Sequence, residues 1–310
     1  MVFNAMADRD GMIWFNGELV PWREAKVHVL THSLHYGMGV FEGIRAYDTP
    51  NGPAVFRLKE HIQRLFNSAH IFMMDVPFTK EQMTEAHLET LRANHLKSAY
   101  LRPVFFYGAD TMGVQITEKN IVQGFVAAWE WGAYLGDEAI THGIKVRTSS
   151  FTRHHVNSTM CKAKATGSYI NSTLARQEAT AAGCAEALLL DTEGHVAEGS
   201  GENIFLVANG VLYTPDLNSC LAGITRETIM TLAKEMDIQV VEKQITRDEV
   251  YIADEAFFTG TAVEVTPIRE VDGRKIGAGE PGPITKALQK VYFDQVQGKR
   301  KEHSEWLTYF

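Results

Sequence analysis

Cysteine is scarce in this chain. Three in 310 residues, Cys161, Cys184 and Cys220, are odd in number and widely spaced. That excludes a disulfide framework and a paired-cysteine metal site, and it fits a reducing, cytoplasmic setting. No apolar run reaches membrane-spanning length. The opening residues, Met1 to Asp10, lack the layout of a signal peptide. Basic tracts and acidic tails are absent, and the net charge of −8 argues against nucleic-acid and anionic-membrane partners. There is no internal repeat and no low-complexity tract. Asn157-Ser158-Thr159 and Asn171-Ser172-Thr173 match the glycosylation triplet, but without a secretory signal both read as chance.

What is present is ordinary soluble-protein composition, in enough chain for one large or two ordinary domains. Asn16-Gly17 and Asn209-Gly210 mark hairpins. Leu58, Ile62, Leu65 and Ala69 recur at helical spacing. Thr79 and Gln82 form a capping-box pattern that opens a second helix running to about Leu96. Strands are expected at 99–107, 121–131, 144–148, 187–191, 203–208, 238–244 and 255–259. Further helices are expected at 168–182, 225–236 and 284–296. These elements mix without strict alternation, which favours an α+β architecture over a doubly wound one. The expected division is a small N-terminal domain over 1–130, a linker over 131–141 and a larger domain over 142–310.

The densest chemical signal is Glu198-Gly199-Ser200-Gly201-Glu202-Asn203-Ile204-Phe205. It sets two carboxylates, spaced by glycines that permit sharp turns, before an apolar strand. Upstream, Lys164 stands among Ala163, Ala165 and Gly167, with Tyr169 following. A nucleophilic amine and an aimed carboxylate are the groups a pyridoxal phosphate enzyme requires. An ordinary lysine is almost wholly protonated at neutral pH, so such a residue must be desolvated or placed near another cation. Local sequence leaves Lys162 and Lys164 both open. Gly223-Ile224-Thr225-Arg226 opens a helix with Thr225 as a suitable N-cap, a ready phosphate site. Phe257 to Ala262 leaves a strand through glycine and hydroxyl residues, another anion nest. Tyr100 and Arg102 share one strand face, a pair suited to a carboxylate. Arg64 lies off its helix's apolar stripe. His28, His32 and His35 follow helical spacing, but no carboxylate or cysteine completes a set, so no metal is expected.

In this order the motifs resemble the branched-chain amino acid aminotransferases, of the fold type IV class of pyridoxal phosphate enzymes. The likeness covers nearly the whole chain. It includes His35-Tyr36-Gly37, Val40 to Arg45, Tyr100-Leu101-Arg102-Pro103, Trp131 to Gly136, Gly223 to Arg226 and Thr259 to Ala262, beside the lysine and glutamate segments. It implies a two-domain, D-amino acid aminotransferase-like fold, with a small α/β domain and a larger α+β domain. It implies pyridoxal 5′-phosphate held covalently by Lys164, not Lys162, with Lys164 then moving the substrate proton. Glu198 would meet the pyridine nitrogen and Tyr169 the ring phenolate. Arg64, Ile224, Thr225 and Thr261 would hold the phosphate. Tyr100, with the Thr261 and Ala262 amides, would take the substrate α-carboxylate, and Arg102 the glutamate side chain. Tyr36, Phe41, Met112, Val114, Trp131 and Tyr134 would line the side-chain pocket. Tyr36 and the 112–114 loop would come from a neighbouring subunit, implying a homodimer at least and commonly a homohexamer built as a trimer of dimers. One departure stands out: Ser168 occupies a position where the family usually has asparagine.

The implied reaction is ping-pong transamination of leucine, isoleucine or valine with 2-oxoglutarate. Rivals on the same fold are a D-amino acid or (R)-amine transaminase and an aminodeoxychorismate lyase. A non-catalytic ligand-binding protein is the rival from another class. The Glu198–Phe205 run, Arg102 and the Gly223–Arg226 run favour the branched-chain enzyme.

Overall fold

The computed structural model describes residues 5–132 and 134–310. Residues 1–4 of the expected first domain, and Ala133 of the expected linker, lie outside the described residues.

The chain forms two compact units. The first takes the described residues up to Trp131, together with Ala163–Gly167 and Gln297–Phe310. The second takes Gly132–Lys162 and Ser168–Val296. This corrects the contiguous division drawn from the sequence, because two later segments return to the first unit. Backbone pairing is the cause. Leu307–Tyr309 adds an antiparallel strand to Gly52–Phe56. Residues 163–167 lie along Gly39–Phe41, through an antiparallel bridge between Val40 and Ala165. Buried peptide groups need partners, and in both places a distant stretch of chain supplies them.

In the first unit the sheet runs in the order Leu307–Tyr309, Gly52–Phe56, Ile44–Thr49, Ala99–Tyr107, Val122–Trp129, Met12–Phe15, Glu18–Pro21, with Gly39–Phe41 paired on Ala99–Tyr107. The helices Leu58–Ile71 and Lys80–Ala93 pack beside it. The expected stripe Leu58, Ile62, Leu65 and Ala69 is buried in that core. Thr79 and Gln82 form the expected capping box, and Asn16-Gly17 turns the expected hairpin.

The second unit is a mixed sheet in the order Val196–Gly199, Glu186–Leu190, Ile144–Thr148, Glu264–Val271, Glu255–Gly260, Asn203–Ala208, Val211–Pro215, Val240–Lys243, with Arg274–Lys275 paired on Glu264–Val271. Helices Ile224–Glu235 and Pro283–Val296 pack against it, as does Tyr169–Ala181. The architecture is α+β. In this unit the strands Val196–Gly199, which bears Glu198, and Glu264–Val271 had no counterpart in the sequence reading. The first is only four residues long and carries a glutamate and a glycine, so it shows no alternating pattern to read. Among the described residues no helix is long and apolar enough to cross a membrane.

One buried histidine sets an acid limit on the first unit. His87 is fully buried, with Nδ1 bonded to the Met83 carbonyl at 2.6 Å and Nε2 without a partner. Burial pushes its pKa from 6.5 down to about 4. The unfolded chain takes up this proton as pH falls below 6.5, while the folded chain resists until about 4. Stability is therefore expected to fall across that window by about 3 kcal/mol. Urea midpoints at neutral pH and near the lower limit measure the effect, and His87→Gln is expected to reduce it.

Candidate active site

Lys164 is held by its backbone on both sides. Its amide donates to Ser68 Oγ on the helix Leu58–Ile71 at 3.0 Å. Its carbonyl accepts from the Phe41 amide at 3.0 Å. The neighbouring Thr166 and Gly167 amides donate to the Gly39 and Gly37 carbonyls. A Cβ on Gly37 would lie 3.1 Å from the Gly167 Cα, and Gly37 has a φ of +70°. Two glycines are thus needed for the segment to reach the sheet. The Lys164 amine lies 5.1 Å from the centre of the Phe41 ring. Lys162 differs in every respect. It belongs to the second unit, is exposed, and donates to the carbonyls of Leu217 and Cys220.

Arg64 is no solvated face residue. Its Nε and Nη2 donate to the two oxygens of Glu42 at 2.6 and 2.8 Å. Glu42 is wholly buried and also bonds His61 Nδ1 at 2.8 Å. Burial alone would raise the Glu42 carboxyl, but the Arg64 charge and the bonds from Arg64 and His61 hold it well below the usual range. Burial also keeps His61 below its ordinary value, with the Arg64 and Lys164 charges acting in the same direction against Glu42. A neutral His61 therefore donates, and the carboxylate fixes the guanidinium's direction.

Tyr100 and Arg102 do share a strand face. Arg102 Nη2 donates to Tyr100 Oη at 3.1 Å. The Arg102 guanidinium carbon lies 4.8 Å from the Phe41 ring centre and 5.4 Å from that of Tyr100. Trp131 meets Tyr100 edge-on at 4.6 Å, and Trp129 lies 5.3 Å from the same ring. Gly43 is glycine for a steric reason: a Cβ there would sit 2.0 Å from Tyr100 Oη. Tyr36, Met112 and Val114 are exposed together, with the Gly113 amide donating to Tyr36 Oη at 3.2 Å.

The second unit gathers the other residues. Glu198 sits in the strand Val196–Gly199, opposite Leu189, and is buried. Its Oε1 lies 2.8 Å from Arg153 Nε, an ion pair without the alignment of a hydrogen bond. Its Oε2 accepts from the Leu221 amide at 3.2 Å. Asn203 Nδ2 donates to the Leu221 carbonyl at 3.0 Å. Its Oδ1 fills the space where a Cβ on Gly223 would come within 1.9 Å. The glutamate segment and the Gly223 loop are therefore one structure, joined by Glu198 and Asn203. Thr225 is not the N-cap expected from the sequence. Gly223 caps the helix, Ile224 begins it and Thr225 follows, buried. The Asn203 contact explains why residue 223 is glycine, since a Cβ does not fit there. Tyr169 begins the helix Tyr169–Ala181. Thr261 and Ala262 lie in the turn between the strands Glu255–Gly260 and Glu264–Val271. The Tyr134 ring centre is 5.7 Å from the Arg176 guanidinium carbon.

Sequence reasoning missed Glu42, Ser68, Trp129 and Arg153 as partners of these groups. Glu42 stood inside a motif from which only Phe41 was given a role. An acidic residue in an apolar run, Val40-Phe41-Glu42-Gly43-Ile44, is itself a sign of a buried pair. Ser68 and Arg153 carry no local signal.

The family described as Amino-transferase class IV matches residues 39–271. The chain is 63% identical over 304 residues to the branched-chain-amino-acid aminotransferase of Pseudomonas aeruginosa, covering 98% of this chain and 99% of the relative. It resembles the crystal structure of the T.th. branched-chain amino acid aminotransferase with pyridoxamine 5′-phosphate at a TM-score of 0.94 and 51% identity, covering 97% of this chain and 99% of the other. The same enzyme complexed with N-(5′-phosphopyridoxyl)-L-glutamate matches at a TM-score of 0.94 and 50% identity, with the same coverage. The chain belongs to the class IV aminotransferase family, and within that family to the branched-chain-amino-acid aminotransferases.

Proposed function

We propose that this chain catalyses transamination between L-leucine, L-isoleucine or L-valine and 2-oxoglutarate, giving the branched-chain 2-oxo acids and L-glutamate, with pyridoxal 5′-phosphate as cofactor. The observation that carries the substrate pair is Arg102 packed between Phe41 and Tyr100. An aromatic wall with one guanidinium at its edge accepts an apolar side chain in one half-reaction and a carboxylate in the other.

The residues fit the cofactor. In the second unit the buried hydroxyls of Ser168 and Thr259 have no hydrogen-bond partner, and they flank Tyr169 and the Thr261 turn. Buried polar atoms without partners are costly, which supports a polar ligand there. Bound pyridoxal phosphate supplies an electron sink for the pair left when the substrate α-carbon loses its proton. Lys164 would hold the cofactor covalently until the substrate amine displaces its Nζ, and the freed amine would then carry that proton. Glu198 would face the pyridine nitrogen. Tyr169 donates to the ring phenolate. Arg64, pre-aimed by Glu42, takes the phosphate with Ile224, Thr225 and Thr261. Tyr100 and the Thr261 and Ala262 amides orient the α-carboxylate, and Arg102 meets the side-chain carboxylate of glutamate. Phe41, Trp131 and Tyr134 shape the side-chain pocket and exclude water.

Tyr36, Met112 and Val114 belong to a neighbouring subunit's pocket in this reading. Their joint exposure supports it, as Val114 is 85% exposed. The working unit is a homodimer at least, and a homohexamer as a trimer of dimers. Three unpaired cysteines suit a cytoplasmic setting.

A donor panel against 2-oxoglutarate, followed through the cofactor's visible band, tests the reading. L-Leucine is expected to bleach the band and sustain turnover. Turnover of D-alanine alone, or a purified protein that takes up no pyridoxal phosphate, overturns it.

A further inference from the structure

Glu202, the second carboxylate of the glycine-spaced segment, has no part in the reaction above. It is 6% exposed and Glu186, on the strand Glu186–Leu190, is wholly buried. Among the described residues one cation, Arg176, serves the two. Arg176, on the helix Tyr169–Ala181, forms an ion pair with Glu186, and Glu186 Oε1 also accepts from the Ala187 amide at 2.6 Å. Glu202 Oε2 accepts only a backbone amide, that of Gly201, at 2.9 Å. Two buried carboxylates and one guanidinium leave one negative charge uncompensated, and a buried group in that position neutralises itself. With Oε2 taken by Gly201, the remaining oxygen carries the proton.

The same carboxyl fills the turn after Glu198. The Gly199 amide donates to the Glu202 carbonyl at 2.7 Å. A Cβ on Gly199 would lie 2.7 Å from Glu202 Oε2, and one on Gly260 would lie 3.7 Å from Glu202 Cγ. Glu202 therefore occupies the space beside the residue after Glu198 and the residue before Thr261.

We propose that Glu202 is a positioning residue: neutral, and donating its proton in a hydrogen bond to Glu186, it locks the turn that presents Glu198. Burial, with the Glu186 charge beside it, pushes the Glu202 carboxyl well above the usual range. The inference rests on the reading of Glu198 as the partner of the pyridine nitrogen.

The test compares the holoenzyme with Glu202→Gln and Glu202→Ala. Glutamine keeps the shape, the donor toward Glu186 and the acceptor for Gly201. The wild-type infrared spectrum at neutral pH is expected to show the carbonyl stretch of a protonated carboxylic acid, absent from Glu202→Gln. Glu202→Gln is expected to stay within about threefold of wild type in pyridoxal phosphate affinity and kcat, because its hydrogen bonds survive. Glu202→Ala is expected to weaken cofactor affinity about tenfold or more and to move the pH at which the visible band titrates. Absence of the protonated-acid band overturns the proposal, as does an alanine variant with wild-type affinity and band titration. A glutamine variant as impaired as alanine also overturns it. Failure of the wild-type protein to take up the cofactor instead defeats the reading of the site, and the infrared band reports on Glu202 independently of that.

Discussion

Lys164→Ala is expected to lower turnover by about 10⁴-fold or more, the upper end of what a positioned proton-transfer group contributes. In the proposed reading the lysine is both the covalent anchor and the group that moves the α-proton, and no other side chain of the first unit is assigned either role. Its backbone bonds to Ser68 and Phe41 use main-chain atoms and survive the substitution. The variant should therefore fold and still bind pyridoxal phosphate, with the altered spectrum of an unattached cofactor. Lys162→Ala has a different expected outcome. That amine braces the carbonyls of Leu217 and Cys220, in the loop leading to Leu221 and Gly223. Its loss should weaken cofactor affinity by about three- to tenfold, the scale of one or two charge-assisted hydrogen bonds at an exposed site, with kcat nearly intact. Steady-state kinetics at saturating cofactor separate the two. A lethal Lys162 variant beside an active Lys164 variant would move the site.

Arg102→Leu should divide the two half-reactions. Loss of a charge-assisted pairing with a carboxylate costs about 2–5 kcal/mol, so the 2-oxoglutarate half is expected to slow by about 10²–10³-fold. Leucine preserves the apolar contact with the Phe41 ring that the arginine stem and guanidinium now provide. The L-leucine half should therefore stay within about tenfold of wild type. Single-turnover measurements, starting from the pyridoxal and pyridoxamine forms of the enzyme, read each half separately. An equal loss in both would mean that Arg102 acts by holding Tyr100, to which its Nη2 is bonded, and not by recognising the second carboxylate.

Local signals read well wherever the physics is local. The Thr79 capping box, the hairpins at Asn16-Gly17 and Asn209-Gly210 and the stripe from Leu58 to Ala69 each depend on neighbours within a few residues. The Tyr100–Arg102 pairing was readable because alternation along one strand places both on one face. The supports of the site were not readable. Glu42 meets Arg64 across 22 positions and Lys164 meets Ser68 across 96, and no spacing rule reaches that far. The need for glycine at 223 was hidden for the same reason, since Asn203, 20 positions earlier, decides what fits there. The resemblance named Lys164, Glu198 and Arg64, but only coordinates give each its partner: Ser68, Arg153 and Glu42.

The return of Ala163–Gly167 and Leu307–Tyr309 to the first unit has a consequence for synthesis on the ribosome. When the residues up to Trp131 have emerged, their sheet is missing the segment that bears the lysine and the strand that covers Gly52–Phe56. That strand is then an open edge, able to pair with another nascent chain. It stays open until residues 307–309 have been made, because they close it. The first unit begins folding early and finishes last, after the second unit has been translated in full. Pairings of such long range form slowly. A ribosome stalled anywhere in the second unit therefore holds a first unit with an exposed edge, and such chains are expected to depend on chaperones more than the finished protein does.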